Sequence, residues 1–210
     1  MKLTAKEGKN GKIHISVDDE YLLTVDCDFW FSCGYSSGDE IDGEELAEFK
    51  DIANSRRAFN SAMFSLDRRD YSAAEMRRKL IPKFGEKAAD EAVEKLCELN
   101  LINDERYAEN FVKSLFTYKK YGRNRIKSEL YRKGIDSDTA KNALDEVFES
   151  EETDNVERIV EIIRKRYYNK MDSRESRQKV IAALVRLGYS FSDIREAMER
   201  FTDDEYYEEF

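Results

Sequence analysis

One short pattern recurs three times along the chain, and it limits the fold more than any other feature. It runs from Met76 to Leu80 and on to Lys83, Phe84 and Gly85; then from Ile126 to Leu130 and on to Lys133, Gly134 and Ile135; then from Val180 to Leu184 and on to Leu187, Gly188 and Tyr189. The starts lie 50 and 54 residues apart. Each copy follows an apolar stripe at helical spacing: Ala58, Ala62 and Leu66, then Tyr107, Phe111 and Leu115, then Ile159, Ile162 and Ile163. Each is followed by another: Ala89, Val93 and Leu96, then Ala140, Leu144 and Val147, then Ile194, Met198 and Phe201. Three helices per period mean a tandem array, because one such unit buries too little apolar surface to stand alone. The expected fold is therefore mainly all-α, with three tandem three-helix repeats stacked into an elongated, curved array.

Helix boundaries support the periods. Asp42 with Glu45, Ser72 with Glu75 and Ser190 with Asp193 read as capping boxes, and Gly122 opens the middle helix of the second unit. Asn100 suits a left-handed C-cap. Composition agrees, since one proline and nine glycines in 210 residues are too few breakers for a β sandwich.

The first 42 residues follow another rule. From Lys12 to Val17 apolar and polar residues alternate, Asp18, Asp19 and Glu20 interrupt, and the run resumes from Tyr21 to Val25. This predicts a β-hairpin with Ile13, Ile15 and Val17 on one face, docked on the helices or on a partner because a hairpin alone is marginal in water. Phe29, Trp30 and Phe31 form an aromatic knot after it. The expected divisions are a small β-rich element at 1–42, repeats at 43–102, 103–150 and 154–202, and a flexible acidic tail at 203–210.

The net charge of −9 conceals a segregation. Residues 1–50 hold 5 basic and 12 acidic side chains, and 203–210 hold five acids and no base, whereas 51–202 hold 31 bases against 28 acids. Within residues 113–133 stand eight bases and one acid, Glu129. The strongest candidate patch is Lys119, Lys120, Arg123, Arg125, Lys127, Arg132 and Lys133, interleaved with Tyr118 and Tyr121. Arg77, Arg78 and Lys83 occupy similar places in the first unit, and Arg164, Lys165 and Arg166 cluster in the third, near Lys170. Singly, such residues are solvated helix faces; as a set they suit an acidic protein surface or a nucleic-acid backbone. An acidic whole argues against a dedicated DNA binder, whose affinity rests on neutralising many phosphates.

Catalytic chemistry finds no footing. His14, the only histidine, falls on the polar face of a strand, and Cys27, Cys33 and Cys97 are too few and too scattered for a zinc centre. Cys97 lies in an apolar stripe and reads as a core thiol. No phosphate-binding glycine loop or nucleophile elbow is present. The expectation is a protein that is not an enzyme and has no cofactor and no metal. An odd number of cysteines without a C-x-x-C pair, no apolar run of 18 residues and no apolar leader segment predict a cytoplasmic chain with reduced thiols and no membrane span.

Three segments carry a resemblance. Ser72-x-x-Glu75-Met76-x-x-Lys79-Leu80, then Leu99-Asn100-Leu101-Ile102-Asn103-Asp104-x-x-Tyr107-Ala108, then Gly122-x-x-x-Ile126-x-x-Glu129-Leu130-x-x-Lys133-Gly134-Ile135 resemble, in order and spacing, the pattern of the RecX family of recombinase regulators. Asn100 stands where glycine is usual, and the third unit carries Leu187-Gly188 in place of Lys-Gly. A monomer is the default for such an array, and the resemblance implies a three-repeat helical protein that binds the RecA nucleoprotein filament in its helical groove. There it would damp ATP hydrolysis, strand exchange and the coprotease activity of the SOS response, with at most weak contact to single- or double-stranded DNA. The rival is a direct DNA-binding protein, because a three-helix unit resembles a helix-turn-helix. Against it, the helix from Ala140 to Val147 sets Lys141 against Asp145 and Glu146, a poor groove reader.

Overall fold

The computed structural model describes residues 1–150, 154–171 and 173–208, and the side chains of all of these except 150 and 202–208. The chain divides into two compact units, Met1–Ile102 and Asn103–Phe210.

The first unit opens with an antiparallel sheet of three strands, β1 (Leu3–Glu7), β2 (Lys12–Val17) and β3 (Glu20–Asp26), in that order. Ile13 pairs with Val25 and Ile15 with Leu23, so the alternation places all four on the buried face. Asp18 and Asp19 make the β2–β3 turn with φ of 49° and 65°, the positive values that a twist-matched two-residue turn requires. The hairpin expected from sequence is thus part of a larger sheet. β1 escapes the pattern because Leu3 is its only strongly apolar residue. His14 is exposed, with Nδ1 2.7 Å from the Thr24 hydroxyl. The aromatic knot forms the short helix α1 (Cys27–Ser32), which buries Phe29 and Trp30.

Helix α2 (Gly43–Leu66) starts at the expected box, with Asp42 accepting from Glu44 N and Glu45 N and Glu45 accepting from Asp42 N. Its 24 residues span about 36 Å and serve two cores. Leu46, Phe49 and Ala53 close the sheet core, while Ala58 and Ala62 enter the core of the first repeat. The helix starts near residue 42, but the β element's core extends past it to Ala53. α3 (Ala73–Phe84) and α4 (Glu86–Glu98) contribute Met76, Leu80, Ala89, Val93 and Leu96. Asn100 takes φ 53°, with Asn100 N and Leu101 N bonded back to Cys97 O and Leu96 O, the cap expected of it. Cys97 is exposed, not a core thiol, because the buried stripe runs through Ala92, Val93 and Leu96 and Cys97 turns away from it.

The second unit holds α5 (Asp104–Ser114), a π-helical turn (Leu115–Lys119), α6 (Arg123–Lys133) and α7 (Ser137–Ser150). It continues with α8 (Asn155–Arg166), a 3₁₀ turn (Tyr168–Lys170), α9 (Arg174–Leu187) and α10 (Phe191–Glu208). The buried stripe of α5 and its π turn is Ala108, Val112 and Phe116, one position on from Tyr107, Phe111 and Leu115, which are half-buried. α10 runs to Glu208, so the segment expected as a free acidic tail begins inside a helix. No glycine or proline interrupts it, and residues 209–210 lie outside the described residues.

α6 and α9 meet end to end. Gly122 N donates to Leu187 O at 2.8 Å and Asn124 N to Gly188 O at 3.2 Å. α6 has no side-chain N-cap, and the terminal carbonyls of α9 instead accept from two N–H groups at its start, those of Gly122 and Asn124. Gly188 sits at φ 95°, and a Cβ there would lie 2.3 Å from Arg125 N; a Cβ on Gly122 would lie 2.6 Å from Gly188 C. Both positions need glycine for the backbones to touch.

Candidate partner-binding site

The candidate cations fall into one group per repeat. In the second repeat, the π turn ends at Lys120, which adopts the left-handed conformation at φ 56° and offers its carbonyl to the Tyr189 hydroxyl at 2.9 Å. That turn projects Lys119 into solvent. Along α6, Arg123 is paired with Asp145 and lies 5.6 Å from the Phe148 ring centre. Arg125 and Arg132 share one carboxylate, with Glu129 2.8 Å from the first and 3.0 Å from the second. Lys133 sits 5.6 Å from the Phe111 ring centre and Lys127, exposed, 5.7 Å from that of Tyr131. The patch is therefore less uniformly available than the sequence suggests. Among the described residues Lys119 and Lys127 are exposed with no acidic partner, whereas Arg123, Arg125 and Arg132 are held by carboxylates of their own repeat.

In the first repeat, Arg77 is bound by Asp90 and Glu86. Their hydrogen bonds, Asp90 foremost, push its pKa above the ordinary arginine value, and Arg77 in turn holds the Asp90 carboxyl below its own. Arg78 and Lys83 are exposed on the same helix. In the third repeat, Arg164, Lys165 and Arg166 occupy the last turn of α8, where cations complement the helix C-terminus. Lys165 also pairs with Glu161.

The residue that sequence reasoning missed is Arg158. It is 6 % exposed, donates from Nη2 to Phe116 O at 2.7 Å, and stacks its guanidinium 3.5 Å from the Phe116 ring centre. It joins α8 of the third repeat to the π turn of the second. Beside it, burial pushes the Tyr189 phenol above its ordinary pKa while Arg158 pulls it partly back. The available signal was an arginine flanked by Val156, Ile159 and Ile162, inside an apolar helix face.

No group of three His, Cys, Asp or Glu residues that could hold a metal exists among the described residues, and Cys27, Cys33 and Cys97 form no disulfide. Among the described residues no helix is long and apolar enough to cross a membrane.

A small antiparallel sheet followed by three three-helix units defines a class of tandem-repeat helical proteins. Family models for the first, second and third three-helix domains of RecX match residues 58–96, 103–144 and 152–198. Proteins named regulatory protein RecX resemble it over nearly its whole length. That of Clostridioides difficile is 28 % identical over 98 % of this chain and 97 % of its own. That of Caldanaerobacter subterraneus is 30 % identical over 92 % and 95 %. A crystal structure of a regulatory protein RecX covers 96 % of this chain and 97 % of its own with a TM-score of 0.67; at 23 % identity it speaks for the fold. The crystal structure of RecX from Lactobacillus salivarius covers 72 % and 98 % with a TM-score of 0.61 and 28 % identity. The chain belongs to the RecX family.

Proposed function

We propose that this chain is a cytoplasmic, monomeric, non-enzymatic modulator of the RecA recombinase, binding the nucleoprotein filament in its helical groove and restraining ATP hydrolysis, strand exchange and coprotease activity. The observation that carries the reading is the set of three RecX domains, matched in order along one chain. Three similar units in tandem suit a partner that is itself a repeating array, since each contact raises the effective concentration of the next. Contacts spread over neighbouring protomers would limit the relative motions that hydrolysis and strand exchange require. In this reading the three cationic groups are the contact sites, with Lys119 and Lys127 foremost because they are exposed and unpaired among the described residues.

The test is single-strand-dependent ATP hydrolysis by the host's RecA, with this chain added below stoichiometric ratio and a gel shift on naked DNA run at the same salt. Suppression at low ratio with feeble binding to naked DNA supports a filament-directed modulator. Unaffected hydrolysis, with tight and steeply salt-dependent DNA binding, would replace it with a direct DNA binder.

A further inference from the structure

The second and third repeats are built on one template, and one of the differences between them is informative. Aligning the two left-handed glycines that end their middle helices, Gly134 and Gly188, superposes Leu130 on Leu184 and Ile126 on Val180 without a gap. The same register sets Lys179 against Arg125, Arg186 against Arg132, and Ala183 against Glu129. In the second repeat the Glu129 carboxylate, with its side chain only 16 % exposed, lies between two guanidiniums at 2.8 and 3.0 Å. In the third repeat the two cations are kept and the carboxylate is gone.

An open cavity of about 490 Å³ lies on that face of α9. Ser176, Lys179, Ala183 and Arg186 recur at helical spacing along its floor, and Tyr167 and Lys170 wall it from the end of α8 and the 3₁₀ turn. Among the described residues no acidic side chain lines it. Neither Lys179 nor Arg186 is in an ion pair among the described residues, and Lys170 lies only over the Tyr167 ring, 5.8 Å from its centre. Three cations thus line a cavity that has no acidic side chain among the described residues, in a chain whose net charge is −9.

We propose that this cavity is a receptor for an acidic segment of a partner protein, whose Glu or Asp carboxylate takes between Lys179 and Arg186 the place that Glu129 fills in the second repeat. The internal glutamate fixes the ligand class, because a geometry satisfied by one carboxylate on this template accepts another. A nucleic-acid strand fits less well. It needs a continuing track of cations with aromatic platforms free for bases, whereas Tyr167 lies under the Lys170 ammonium. The inference rests on the reading of a protein partner given above and supplies the chemistry of one contact.

Ala183→Glu tests it by refilling the cavity from within, as the second repeat does. The full chain is titrated with a nonaglutamate peptide and, separately, with an oligo(dT) of equal charge at one salt concentration, following backbone amide shifts over residues 176–187. The expected result is peptide-induced shifts around Lys179 and Arg186, a loss of peptide affinity of tenfold or more in Ala183→Glu, and less than threefold in Ala183→Gln. Helicity and melting temperature of Ala183→Glu should equal or exceed those of the parent. Peptide binding that ignores Ala183→Glu, or oligo(dT) shifting these amides where the peptide does not, overturns the proposal. The RecA assay separates the two readings. A receptor that passes the peptide test in a chain that leaves hydrolysis untouched sinks the proposed function alone. Full suppression of hydrolysis without Ala183-sensitive peptide binding sinks the receptor alone.

Discussion

Arg158 shows how one residue can set the stability of two repeats. Its guanidinium is out of water, hydrogen-bonded to a carbonyl and stacked on a ring, so removing it strands Phe116 O and empties the stack. Arg158→Met should cost about 2–4 kcal/mol, from a charged hydrogen bond and a desolvated cation–π contact, read by urea unfolding. Its neighbour predicts a pH dependence. Burial raises the Tyr189 phenol above its ordinary pKa near 10, so the folded chain keeps a proton that the unfolded chain releases. The contribution is complete below about pH 10 and is lost as the pH climbs from there through the folded-state value. Comparing the parent with Tyr189→Phe across that range should show their stability difference constant below pH 10 and shrinking above it. The apolar flanks of Arg158 signal burial, but neither role was legible in the sequence, because only the neighbouring repeat's carbonyl and ring show what the buried guanidinium binds. Cys97 was misjudged for the converse reason: one residue past Leu96 is a hundred degrees around the helix, enough to leave the core.

Among the elements, those with local signals were the easiest to read. The Asp42 box, the Ser72 and Ser190 caps and the left-handed turn at Asn100 each depend on residues within a few positions, and all form as the sequence indicates. What depended on distant partners was hidden. β1 exists because β2 offers it an edge, and α2 runs through two cores because the sheet packs on its first half. The junction of α6 and α9 is of this kind too. Gly188→Ala must hold a Cβ at φ 95° and also push it against Arg125 N. It should lose more than about 2 kcal/mol, beyond the roughly 1–2 kcal/mol of the left-handed backbone alone. Asn100→Ala, at φ 53° and adding no Cβ that was not already there, should lose less, near about 1 kcal/mol. Thermal melts of the two variants side by side check the order.

At the scale of the whole molecule the sequence conveyed the repeats and their number, and of the site it conveyed the cations but not their engagement. Charge counts cannot tell Arg123, tied to Asp145, from Lys127, exposed and without an acidic partner among the described residues. The grouping into Met1–Ile102 and Asn103–Phe210 predicts two cooperative blocks. The single tryptophan, Trp30, lies in the first and reports on it alone. Ile15→Ala, which empties a fully buried site for about 2–5 kcal/mol, should lower the midpoint of the Trp30 fluorescence transition while leaving amide-exchange protection in α8 unchanged. A parallel fall in both would mean one block. The end-to-end meeting of α6 and α9 carries a consequence for how the chain is made. Two N–H groups at the start of α6, those of Gly122 and Asn124, take their acceptors from residues 187 and 188, more than sixty positions later. On the ribosome, then, the second repeat emerges with the start of its middle helix unfinished, and it can close only after the third repeat has left the exit tunnel, whereas the first 102 residues hold both of their cores as soon as they are synthesised.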